Sequence, residues 1–98
     1  MTRNGRPAKT AVSDGAWTGF QNHNPATMSG YVLLFRELNS RRPTQSVPLK
    51  FLARRRIRLQ NLRDGKQQTV DVGADGSLPF QLASAPDFGF YRYQADRN

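Results

Sequence analysis

The stretch LARRRIRLQNLRDGK, residues 52–66, carries six basic residues against one acid, Asp64. The arginine side chain offers a planar fork of donors that fits carboxylate or phosphate, and its plane also stacks on aromatic rings. Arg54, Arg55, Arg56 and Arg58 are therefore the candidate anion-binding residues. From Arg36 to Lys66 the bias is ten basic residues to two acids, Glu37 and Asp64. A stripe of that kind could follow a nucleic-acid backbone. A second reading needs no ligand. Side chains alternate across a strand, so Ile57 and Leu59 would enter a core while Arg56 and Arg58 face water. Arg54 and Arg55 would then stand just ahead of the strand. This solvated-face reading is preferred, because no RNP-type aromatic motif, GXXG loop or zinc-finger spacing accompanies the arginines.

The segment AWTGFQNHNPATMSGY, residues 16–31, offers another chemistry. Trp17, Phe20 and Tyr31 supply aromatic surface, and Gln21, Asn22, His23 and Asn24 supply donors and acceptors. Rings flanked by amides suit a sugar, whose C–H face stacks while its hydroxyls hydrogen-bond. Trp17, Phe20, Gln21 and His23 are the candidate carbohydrate-binding residues, with His23 expected in a loop. The competing reading places Trp17 and Phe20 at one end of the core. It is preferred, since so small a domain has few large apolar side chains to spare.

Catalytic chemistry has little to stand on. Six of the seven acids are Asp, and Asp14, Asp64, Asp75, Asp87 and Asp96 sit where Asp turns the backbone. Glu37 and Asp71 fall on predicted strands with nothing to bring them together. There is no G-x-S-x-G elbow and no phosphate loop. The chain has no Cys and a single His, which excludes a disulfide framework, a thiolate metal site and the usual histidine clusters. No enzyme activity, cofactor or metal is expected.

These residues must be positioned by strands. The 98 residues suffice for one domain, and the net charge is +8 with twelve of fifteen cations Arg, a hint of an anionic partner that says nothing of fold. Residues 1–13 are polar, basic and aperiodic and read as a flexible tail; residues 14–98 read as the domain. Within it, short apolar bursts alternate with turn residues, the mark of an all-β chain. A short strand is expected over 16–21. YVLLFRE, residues 31–37, is apolar on both faces and should lie near the middle of a sheet. Val47, Leu49 and Phe51 alternate around Pro48, which points to an edge strand. Asp64-Gly65 and Asp75-Gly76 are hairpin signals. Ile57, Leu59, Val70, Val72, Leu78, Phe80, Phe88 and Phe90 form the expected core. The fold class is all-β: a small antiparallel β-sandwich of Ig-like character with about six or seven strands.

No apolar run approaches the roughly 20 residues needed to span a bilayer, and the start lacks the apolar core of a signal peptide. The expectation is a cytoplasmic chain without membrane contact.

The order of motifs adds a resemblance. WTGFQ is followed by GYVLLFRELN, then IRLQNLRDG, a V-x-V strand and a closing FGFYRY. Over residues 14–94 this resembles the C-terminal β-sandwich that follows the catalytic barrel in bacterial glycoside hydrolases of the α-galactosidase type. The resemblance implies a non-catalytic accessory domain, with carbohydrate or a glycosidase catalytic domain as partner. It carries no catalytic residue here, because the carboxylates of such enzymes belong to the barrel. Nucleic-acid binding through an arginine-rich face of a basic β-barrel stands as the alternative.

Overall fold

The computed structural model describes the backbone of residues 6–10 and the full residues 17–96. Eight strands are formed there: β1 (Arg6–Thr10), β2 (Trp17–Asn24), β3 (Ser29–Arg36), β4 (Thr44–Pro48), β5 (Arg56–Asn61), β6 (Gln67–Asp71), β7 (Ser77–Gln81) and β8 (Asp87–Ala95). They are antiparallel and make two layers, a six-stranded sheet in the order β1-β2-β3-β8-β5-β6 and a hairpin-like pair β4-β7. This is the all-β, small-sandwich class that the alternation predicts. Of the tail expected over residues 1–13, Arg6–Thr10 forms an edge strand on β2; the rest lies outside the described residues.

The two strands of the second layer cover one face of the larger sheet. Val47, Leu49, Leu78, Phe80 and Leu82 from their side close on Trp17, Val32, Leu34, Ile57, Leu59, Tyr91 and Tyr93 from the sheet. Polar side chains bolt the layers together. The Trp17 indole N–H donates to the Arg42 carbonyl at 3.0 Å. Gln21 accepts from the Lys50 amide at 2.7 Å and donates to the Lys50 carbonyl at 3.0 Å. Arg36 is buried, with no carboxylate paired to it among the described residues; its guanidinium donates to the carbonyls of Leu82, at 2.6 Å, and Ser40, at 3.1 Å.

The turns follow from local chemistry. Asn24-Pro25 opens the β2–β3 turn, where the Asn24 side chain accepts from Ala26 N–H at 2.9 Å and the Asn24 carbonyl from Met28 N–H at 2.8 Å. Asp64-Gly65 closes the β5–β6 hairpin, with Gly65 at φ 79°, where a side chain would be strained. Asp75-Gly76 is a turn but not a hairpin: β6 and β7 lie in different layers, so the chain crosses over.

Three expectations need correction. β8 lies in the opposite register, with Gly89, Tyr91, Tyr93 and Ala95 buried and Phe88 and Phe90 on the outer face. The reason is room. Gly30 faces the Tyr93 hydroxyl and Gly89 lies under the Tyr91 ring, and a Cβ at either glycine would collide with them. β4 ends at Pro48 and Leu49 is still buried, but the backbone turns to φ 70° at Phe51, which is 69% exposed. His23 lies in β2, not in a loop, because the strand runs on to Asn24.

Candidate functional site

Strand alternation separates the residues expected to bind sugar. Trp17, Gln21 and His23 share the inner face of β2 and are buried, whereas Phe20 points out of the other face. They form no common surface. The Gln21 amide donates to the Tyr93 hydroxyl at 3.0 Å, and that hydroxyl lies 2.6 Å from His23 Nδ1. Burial first, and the Arg55 charge second, hold the His23 imidazole below its usual pKa. Burial pushes the Tyr93 phenol up to about 12. The phenol therefore keeps its proton, and it shares a hydrogen bond with the imidazole.

The arginine run is split as well. Arg54, Arg55 and Arg56 line an open cleft of about 520 Å³ together with Asp71 and Asp96. Arg56 is bound to Asp71 at 2.9 Å, and Arg55 donates to the Asp96 carbonyl at 3.3 Å. Two acids thus answer three cations there. Arg58 stands apart on the outer face of β5, in line with Gln94 and Thr69. Arg56 and Arg58 do point away from the core that Ile57 and Leu59 enter, as alternation requires.

What neither motif announces is the outer face of the six-stranded sheet. Register brings Phe20, Leu33 and Phe90 into one cross-strand row and Phe35 and Phe88 into the next. Tyr31 stands beside Phe90, their ring centroids 5.8 Å apart. Five rings, Phe20, Tyr31, Phe35, Phe88 and Phe90, are 37% to 44% exposed here. Aromatic side chains bury about 150–250 Å² each, so roughly 300–500 Å² of ring surface faces solvent. Isolated apolar side chains on a surface are ordinary; a contiguous patch of this size matches the largest one on a typical monomer, which is often functional. The signal was in the sequence, since β3 is apolar on both of its faces.

Three of the five rings are already engaged. Tyr31 and Phe90 turn their faces toward each other, and the Arg63 guanidinium sits 4.3 Å above the centre of Phe88. Arg63 is fixed by Asp87 at 2.9 Å and the Phe88 carbonyl at 2.8 Å. The Phe88 amide and Arg63 together hold the Asp87 carboxyl below the usual range. Arg92, which donates to Gln60 at 2.9 Å, and Arg58 flank the patch on the β5 side, with no acid bound to them among the described residues.

Among the described residues no group of acids and His could hold a metal ion, and no helix is long and apolar enough to cross a membrane. No protein-family model, curated protein or solved structure matches the chain.

Proposed function

We propose that the chain is a non-catalytic accessory module of the kind that follows the barrel in α-galactosidase-type glycoside hydrolases, and that it packs on a catalytic domain. The observation that carries this reading is the half-exposed aromatic face of Phe20, Tyr31, Phe35, Phe88 and Phe90. The second layer covers one side of the sheet, and the other side has a composition suited to being covered. The resemblance of WTGFQ, GYVLLFRELN, IRLQNLRDG and FGFYRY to such modules supplies the kind of partner. A protein surface fits better than a sugar, because Trp17, Gln21 and His23 lie in the core and share no surface with Phe20. It also fits better than nucleic acid, because bases need open ring faces, and Arg63 sits on Phe88 while Tyr31 and Phe90 stack on each other.

The test is reconstitution. An α-galactosidase-type barrel lacking its own C-terminal sandwich, mixed with this chain, should co-elute with it in size-exclusion chromatography. Phe90→Asp should abolish co-elution while Trp17 fluorescence stays that of the folded domain. Failure of the wild type to co-elute, or indifference to Phe90→Asp, would overturn the reading.

A further inference from the structure

The six-stranded sheet ends at β6, and β4 and β7 each pair with one neighbour, so with β1 the two layers have four free edges. A free edge is a row of unpaired amide and carbonyl groups, and proteins commonly block it with proline or charge. Three of these edges carry a proline: Pro7 in β1, Pro48 in β4 and Pro79 in β7. β6, with the sequence QQTVD, has none. Its residues are exposed except Val70, which is partly buried. Its acid, Asp71, is already bound to Arg56 across the hairpin.

Beside this open edge runs a cleft of about 560 Å³ between the two layers. Leu59, Val70, Leu78, Phe80 and Tyr91 form its apolar lining, with Gln67, Gln68 and Gln81 also lining it. The cleft exists because two strands cannot cover the inner face of six. A ligand here meets a hydrogen-bonding ladder on one side and apolar side chains beneath. Only an extended backbone matches both: it pairs with β6 and drops alternate side chains into the cleft.

We propose that β6 and this cleft form a docking site for an extended segment of a partner polypeptide, apolar on the cleft side and acidic on the other. The acidic preference follows from charge. Arg58 lies in the same cross-strand row as Thr69, two strand spacings or about 10 Å from a residue added beside Thr69. No acid is bound to Arg58 among the described residues, and the chain as a whole carries +8, which steers anionic partners toward it. A second copy fits less well. Its own β6 offers Gln68 beside Val70 on the cleft side, and it brings a further +8. The site is separate from the aromatic outer face, so either can fail without the other.

The probe is a capped eight-residue peptide of alternating valine and glutamate, titrated into the isotopically labelled chain and followed by amide NMR. The expected result is saturable shifts at Gln67–Asp71 with slowed exchange of β6 amides. The same peptide with lysine in place of glutamate should bind at least about tenfold more weakly if charge selects the partner. Val70→Lys places a charge in the cleft lining, a natural way of closing an edge, and should remove binding while Trp17 fluorescence stays native. The proposal is overturned by an absence of β6 shifts, by shifts confined to the aromatic face, or by equal binding of both peptides. Sedimentation showing that the chain pairs with itself through β6 would overturn the choice of occupant.

Discussion

At the scale of single residues, the buried trio of Gln21, His23 and Tyr93 shows how an inward strand face turns polar side chains into structure. The phenol oxygen accepts from Gln21 and shares a hydrogen bond with His23 Nδ1, so the three are oriented by one another. The consequence is a stability that depends on pH. His23 titrates below its ordinary value in the fold and near 6.5 when unfolded. As pH falls through that window the unfolded chain binds a proton that the folded chain refuses, so its contribution is complete above about pH 6.5 and declines below. Tyr93 acts at the other end. Its folded pKa of about 12 means that stability is complete below the ordinary phenol value near 10 and is lost as pH rises above it. Thermal melts at about pH 7.5 and about pH 5 should show the wild type weakened in acid, and His23→Gln should lose most of that difference. An unchanged pH response in the variant would remove His23 as the cause.

Elements show which signals the sequence carries openly. β5 was legible because only one parity of RIRLQN is apolar, so Ile57 and Leu59 can only be core. Sheet-centre placement of β3 was legible for the opposite reason, apolar residues on both parities. FGFYRY misleads: phenylalanine is more apolar than tyrosine, so Phe88 and Phe90 look like the buried set. Space decides otherwise, since Gly30 and Gly89 clear room for two tyrosine rings on the inner face. The clearance at Gly30 depends on pairing β3 with β8, which no window along the chain reveals. The candidate site was hidden by the same error, because its rows form only once β2, β3 and β8 are in register. The register has a direct test by denaturant unfolding. Phe80, buried against Tyr91 with centroids 4.9 Å apart, should cost about 3–5 kcal/mol on truncation to Ala. Phe90→Ala, on the outer face, should cost less than about 1 kcal/mol. Equal losses from the two variants would restore the rejected register.

For the whole molecule, the question is what a charge of +8 does. A basic surface attracts any polyanion, but affinity that survives salt needs many phosphate contacts, because each releases counterions and steepens the salt dependence. The arginines here do not converge. Arg54, Arg55 and Arg56 share a cleft with Asp71 and Asp96, Arg36 is spent inside the fold, and Arg63 is held by Asp87 and Phe88. Arg58 and Arg92 remain beside the aromatic face without a bound acid among the described residues. A short single-stranded oligonucleotide should therefore bind weakly at about 0.05 M salt and be released by about 0.2 M. Arg58→Gln with Arg92→Gln should lower the salt slope by roughly 0.7 per lost contact. Arg56→Gln should change it little, since its guanidinium already has a carboxylate at 2.9 Å. Tight binding that persists at the higher salt, weakened equally by all three substitutions, would mean that the arginine run acts as one surface and that Asp71 gives way to phosphate. The geometry argues against that outcome: strand alternation sends Arg58 to the sheet face, while Arg54 and Arg55 stay in the loop before the strand, at the mixed-charge cleft.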